Sequence, residues 1–281
     1  MNDSRLIPID TGRKQPYMLE ITTQEVPMRG LPEPWHGATV VHLSDLHCGF
    51  GGTDPVYEEA VERVNALQPD LIVFTGDYID DRPVPADYPL VPLLRRFSAR
   101  HGLVATFGNH DHRRGVHGTR RLLEQAGARI LDNESVRLEG GLWLAGIDDL
   151  FEGKPDLRRT LADVPPEATT LLLSHNPSLI NKVPDRDVLI LSGHTHGGQI
   201  ALPILTPKLV CLFHLHVAQV AGWYRNGRAR LYVNRGLGVT GRPFRYHCPA
   251  EIGVFRLVPD TADGPRREAD RRPAAEPVGR R

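Results

Sequence analysis

Five short apolar runs constrain this chain more than any other feature: residues 38–44 (ATVVHLS), 71–75 (LIVFT), 103–107 (LVATF), 171–174 (LLLS) and 188–192 (VLILS). They are rich in aliphatic and β-branched side chains and do not alternate apolar with polar. A strand with one wet face alternates, so such runs predict strands buried on both faces, as in parallel sheets covered by other layers. Between them, residues 54–67 (DPVYEEAVERVNAL) carry an Asp cap, a proline in the first turn, early acidic residues and apolar positions at helical spacing. Residues 118–126 give a second helix, stopped by Gly127. Strands alternating with helices predict an α/β layered domain. Residues 142–147, 230–233 and 252–258 add strands with little helix between them, which calls for a second sheet. Residues 17–23 (YMLEITT) alternate and predict a first strand at a sheet edge.

At 281 residues the chain can bury about three quarters of its unfolded surface without disulfide staples. Lys and Arg (34) balance Asp and Glu (34), which excludes a protein held to nucleic acid by bulk charge. Cys48, Cys211 and Cys248 form no CxxC pair, so neither a disulfide framework nor a thiolate zinc site is expected, and a reducing cytoplasm is the expected compartment. The N-terminus shows no apolar signal core and no twin-arginine pair, and no apolar stretch reaches the roughly eighteen residues of a membrane span. The organisation expected is a loose leader over residues 1–15, a single domain over residues 16–258 and a disordered charged tail over residues 259–281.

The side chains at the ends of the five runs point to the chemistry. Asp45 and His47 follow the first run, Asp77 the second, Asn109 and His110 the third, His175 the fourth, and His194 and His196 the fifth. In open α/β sheets, ligands bind in the crevice at the carboxyl ends of the strands, so five strand ends are positioned to converge on one pocket. Asp45 with His47, and His194 with His196, are two apart, and in extended backbone each pair projects to one side as a pincer. Gly76, Gly108, Gly193, Gly197 and Gly198 flank these residues, where tight turns and close backbone approach need a missing Cβ. Carboxylate, imidazole and amide together suit Mn²⁺, Fe²⁺, Zn²⁺ or Co²⁺. Asp45, His47, Asp77, Asn109, His175, His194 and His196 offer about three or four donors to each of two ions, with Asp77 able to bridge. A single histidine at a strand end is more often hydrogen-bonded filler than a ligand. His36, His42, His101, His112, His117, His214, His216 and His247 are read as filler; joint occurrence at five strand ends is what argues for metal.

The ordered blocks SDLH (44–47), GDYID (76–80), GNHD (108–111), SH (174–175) and GHTHGGQ (193–199) resemble those of the calcineurin-like metallophosphoesterases. That resemblance implies a four-layer sandwich of two central mixed β-sheets flanked by helices. It implies one ion on Asp45, His47, Asp77 and His196 and a second on Asp77, Asn109, His175 and His194, with Mn²⁺ the expected metal and Zn²⁺, Fe²⁺ or Co²⁺ as alternatives. Two such cations ~3.5–4 Å apart present a bridging hydroxide in line with phosphorus. The resemblance also places His110 at the leaving group as a proton or hydrogen-bond donor, a role worth about 10²–10⁴-fold in rate. Asp111 is expected to orient His110 or raise its pKa, with a helix cap as the alternative. Asp80 and Asp81 are either acceptors behind the ligand histidines or part of a solvated turn.

A finer resemblance, carried by GHTHGGQ, NRGLG (234–238) and CPAEI (248–252), is to the bacterial YaeI and YkuE-like phosphodiesterases, although Ala250 stands where a second proline is common. It implies a phosphodiesterase or pyrophosphatase acting on a lipid-linked or nucleotide-sugar phosphate, UDP-diacylglucosamine being a candidate. Arg235, Arg242 and Arg245 lie in a glycine-rich stretch, either to clamp a distal phosphate or as a solvated loop; Arg235 and Arg245 are the expected substrate-binding pair. The apolar segment 201–223 is either a lip for acyl chains that touches the membrane periphery or hydrophobic core. Two other functions remain open. One is a soluble phosphodiesterase for nucleotides or nucleic acid, although no nucleic-acid partner is expected from the zero net charge. The other is a silent metal-bound scaffold, which has no use for His110.

Overall fold

The computed structural model describes residues 7–9, 17–50, 54–80, 89–201 and 217–260. Along the chain these form β1 (Ile7–Ile9), β2 (Tyr17–Met28), β3 (Thr39–Leu43), α1 (Asp54–Ala66), β4 (Leu71–Phe74), α2 (Leu90–Leu94), β5 (Leu103–Ala105), α3 (Asn109–Arg114) and α4 (Val116–Gln125). There follow β6 (Arg129–Ile130), β7 (Glu134–Arg137), β8 (Trp143–Gly146), α5 (Leu157–Thr160), β9 (Thr170–Leu173), β10 (Val188–Ser192), β11 (Gly222–Asn226), β12 (Ala229–Val233) and β13 (Ala250–Pro259). The five apolar runs are β3, β4, β5, β9 and β10.

Seven strands make one sheet in the order β1-β2-β13-β3-β4-β5-β6, and six make the other in the order β11-β12-β10-β9-β8-β7. Both are mixed. In the first sheet β3, β4, β5 and β6 run parallel while β13 is antiparallel to β3. In the second, β8, β9, β10 and β12 run parallel between the antiparallel edges β7 and β11.

The absence of alternation has a direct cause: successive residues of one strand feed two different cores. Val40, Leu71, Val73, Leu171, Leu173, Leu189 and Leu191 point into the layer between the sheets. Their neighbours Val41, Leu43, Ile72 and Phe74 face the other way, onto the helical layer of α1, α2 and α4. Leu172, Val188 and Ile190 face outward under a 3-10 turn at Pro177–Asn181 and the flanking α5 region. Two sheets between two outer layers is the four-layer α/β sandwich expected from the sequence, with the outer layer on the second sheet reduced to short helical pieces.

One expectation is corrected. The strand at Tyr17–Met28 is not at the sheet edge, because Ile7–Ile9 pairs antiparallel outside it, with Ile7 opposite Leu19. The rest of the expected leader, Asp81, residues 202–216 of the apolar segment and the tail beyond residue 260 lie outside the described residues. Among the described residues no helix is long and apolar enough to cross a membrane.

Leu189 is wholly buried between the sheets. Leu189→Ala should therefore cost about 2–5 kcal/mol in urea unfolding with the denaturant slope unchanged. A loss under about 1 kcal/mol would mean that the two sheets do not depend on this layer for their packing.

Candidate metal centre

Hydrogen bonds that outrun the strands bring the strand ends together. Beyond β3 and β4, Asp45 N–H donates to Gly76 C=O at 3.0 Å, His47 N–H to Asp77 C=O at 3.0 Å and Cys48 N–H to Tyr78 C=O at 2.9 Å. Within the second sheet, Gly193 N–H donates to His175 C=O at 3.1 Å; between the sheets, His194 N–H lies 3.0 Å from each carboxylate oxygen of Asp45. His175 Nδ1 lies 2.7 Å from Thr75 C=O, so the imidazole of one sheet is oriented by the backbone of the other.

The pincers do not arise as the sequence suggested. Asp45, His47, Asp77, His194 and His196 have φ between 47° and 76°, a left-handed backbone rather than an extended one. They are five of the nine non-glycine residues with positive φ among the described residues. Such conformations cost about 1–3 kcal/mol each and persist only where the surroundings over-determine them. Glycine supplies the space: a Cβ on Gly108 would overlap Asp77 Oδ1, and one on Gly193 would overlap Ser44 Oγ and Asp45 Oδ2.

The donor atoms fall into two groups. In the first, His196 Nε2 lies 3.1 Å from His47 Nε2 and 3.4 Å from Asp45 Oδ1. In the second, His194 Nδ1 lies 2.9 Å from Asn109 Oδ1 and 3.2 Å from His175 Nε2, which is itself 3.1 Å from Asn109 Oδ1. Asp77 stands between them: its Oδ2 is 3.1 Å from His175 Nε2 and 3.5 Å from His47 Nε2, while its Oδ1 accepts the His110 backbone N–H at 2.9 Å. The structure thus brings together all seven residues that the sequence singled out as metal ligands.

Burial sets the electrostatics. It raises the pKa of Asp45, and the neighbouring Asp77 raises it further. For Asp77 itself burial is outweighed by His175, which holds the carboxylate well below its usual range. Burial also works against a charged His175, but Asp77, Asp45 and Asp149 around it push its pKa up to about 10. Two buried carboxylates among converging imidazoles form a site that favours positive charge, and the donor types suit borderline divalent cations. These residues fit a pair of such ions, with Asp77 shared.

The neighbours revise other expectations. Asp111 Oδ2 accepts the backbone N–H groups of Asp77 and Gly108 at 2.8 Å, and Oδ1 that of Tyr78 at 3.1 Å. It takes the cap alternative, tying the turn before α3 to the loop after β4. Asp80, wholly buried, is instead the carboxylate grouped with His47 and His110, whose donor atoms all lie within 4.8 Å of one another. The two arginines expected at the substrate are drawn into the fold. Arg245 donates to the carbonyls of Gly238, Arg235, Gly236, His196 and Cys248, and Arg235 pairs with Glu20 at 2.7 Å and with Glu251. The Arg245 guanidinium holds the 235–238 loop against the GHTH turn, and that of Arg235 holds it to β2 and β13. Asp149, buried beside His175 after β8, was missed, although it obeys the same rule of a carboxylate just beyond an apolar run.

The metal-free chain should lose stability as pH rises. His175 titrates near 10 when folded against 6.5 as an ordinary imidazole, so its contribution is complete below about pH 6.5 and gone once pH passes about 10. A cation competes with that proton, so a metal-loaded chain should show a flatter profile and release protons on metal uptake near pH 8, as about any imidazole site does. Melting curves of chelated and Mn²⁺-loaded protein across this window measure the difference; parallel profiles would show that His175 does not exchange its proton for an ion.

The chain is similar to known proteins. Residues 38–198 match the calcineurin-like phosphoesterase family. YkuE of Bacillus subtilis, an uncharacterised metallophosphoesterase, is 36% identical over 86% of this chain and 87% of its own length. The UDP-2,3-diacylglucosamine pyrophosphatase LpxG of Chlamydia muridarum is 28% identical over 87% of this chain and 91% of its own. In fold, the chain is similar to the crystal structure of a dimetal phosphatase from Danio rerio, with a TM-score of 0.52, 13% identity, and coverage of 79% of this chain and 93% of that one. With a family match over more than half its length and a relative 36% identical over most of both chains, this chain belongs to the calcineurin-like metallophosphoesterases and is a metal-dependent phosphohydrolase.

Proposed function

We propose that the enzyme hydrolyses a phosphodiester or pyrophosphate bond in a lipid-linked or nucleotide-sugar phosphate. Asp45, His47, Asp77 and His196 hold one divalent ion, and Asp77, Asn109, His175 and His194 hold the other. The observation that supports this reading is the pair of donor groups joined at Asp77 Oδ2. Mn²⁺ is the metal expected, and Zn²⁺, Fe²⁺ or Co²⁺ would suit the same donors. When bound, such ions activate water and neutralise phosphoryl oxygens.

The protein's own share is positioning and proton transfer. His110 sits in the first turn of α3 with its backbone N–H on Asp77, its ring edge-on to His47 at 4.6 Å, and Asp80 within reach. From there it donates a proton to the departing oxygen, with Asp80 close enough to orient the ring. Asp111 holds the turn that carries His110. The substrate class rests on the likeness to LpxG, whose name states a diacylated nucleotide-sugar pyrophosphate. In this reading residues 16–258 act as one domain.

Mn²⁺-loaded enzyme should hydrolyse bis(p-nitrophenyl) phosphate. His110→Ala should lower kcat about 10²–10⁴-fold while metal analysis still finds two ions per chain. Unchanged turnover in that variant removes the proton-donor role. A panel pairing UDP-diacylglucosamine with nucleotide diesters tests the substrate; preference for the diesters would overturn the lipid-linked reading in favour of a soluble nucleotide phosphodiesterase.

A further inference from the structure

The donor cluster is not evenly buried, and the gradient shows where substrate enters. Asp45, His47 and His175 are 0% exposed, whereas Asn109 is 4% and His194 7% exposed, and His110 is more open still. The cluster therefore meets solvent on the Asn109, His110 and His194 side. Phe151 stands on that side, 37% exposed, with its ring edge-on to the His194 imidazole at a centroid distance of 5.3 Å.

The segment that presents Phe151 is built rigidly for a surface loop. Asp149 is buried, and its Oδ2 accepts the backbone N–H of both Phe151 and Glu152 at 2.8 Å. Asp148 accepts the N–H groups of Asp149 at 2.8 Å and Lys154 at 2.7 Å, and its Oδ1 meets His112 at 2.6 Å. Glu152 pairs with Arg113 at 3.0 Å, so this loop and helix α3 meet at the rim as two walls of one opening. One wall carries His110. The other carries an aromatic ring whose backbone N–H the Asp149 carboxylate fixes and that the hydrophobic core does not claim. A large apolar side chain held at the edge of a catalytic opening marks a surface that something apolar covers.

We propose that Phe151 is a substrate-contacting specificity residue. With the leaving group at His110, the opposite wall meets the organic group that stays on phosphorus, and Phe151 selects esters presenting an apolar or planar face there. This rests on the hydrolase reading and adds the residue that reads the retained group.

Two diesters with the same leaving group test it: phenyl p-nitrophenyl phosphate and methyl p-nitrophenyl phosphate, assayed with the full-length Mn²⁺-loaded chain. Wild type should favour the phenyl ester in kcat/KM by about tenfold, the size of discrimination an apolar contact gives. Phe151→Ala should erase that preference through KM, with kcat on the methyl ester and metal content unchanged, and Phe151→Trp should restore it. Equal losses on both esters, or lost metal in Phe151→Ala, would overturn the proposal and leave Phe151 as packing for His194. If wild type hydrolyses neither ester, the hydrolase reading fails by itself. Calorimetric binding of phenylphosphonate against methylphosphonate then decides the contact: a preference lost in Phe151→Ala upholds it, and equal binding by wild type refutes it.

Discussion

Two buried carboxylates, Asp45 and Asp77, lie at the seam where the carboxyl ends of two sheets meet. Carboxylates so close and so dry repel one another and forgo hydration, which a protein tolerates only with compensating positive charge or directed N–H groups. Both are supplied. The His194 backbone N–H faces both oxygens of Asp45, the His110 backbone N–H holds Asp77 Oδ1, and imidazoles from both sheets crowd the oxygens that remain. A site of this composition is costly as a structural element and well matched to divalent cations.

The fold supports that seam through rigidity. Strands buried on both faces cannot slip register without turning core residues toward the wrong layer, so the loops at their ends start from fixed points. From those points the chain turns immediately into left-handed backbone at Asp45, His47, Asp77, His194 and His196. Gly76, Gly108 and Gly193 let neighbouring loops approach more closely than any Cβ would permit. Asp111 and Arg245 act at one remove, gathering backbone N–H and C=O groups of these loops into single anchors. The strain at these residues is thus opposed by hydrogen bonds from segments far away in sequence.

Much of this was legible beforehand, for physical reasons. Uninterrupted aliphatic runs have few destinations, and β3, β4, β5, β9 and β10 lie where those runs placed them. The seven candidate ligands were readable because they follow those runs at once. What sequence spacing misjudged was conformation and partnership. A gap of two between Asp45 and His47 fits an extended pincer as well as a left-handed one, and only the pairing with Gly76 and Asp77 selects the latter. Arg235 and Arg245 read as anion clamps because a guanidinium is the same group whether it meets a phosphate, a carboxylate or a ring of carbonyls; Arg235 finds Glu20 far away in sequence, whereas Arg245 folds back on the carbonyls of its own loop and on that of His196. Asp111 follows His110 directly, yet its carboxylate turns back to the N–H groups of Asp77, Tyr78 and Gly108, because neighbours on a helix turn send their side chains in different directions. The pairing of Ile7–Ile9 with the following strand depends on an edge that only the assembled sheet provides.

The most direct test of the central claim is anomalous diffraction from crystals of the Mn²⁺-loaded chain. Two peaks are predicted, one among Asp45, His47 and His196 and one among Asn109, His175 and His194, with Asp77 touching both. A single peak, or a pair that leaves Asp77 outside the coordination of either, would contradict the account.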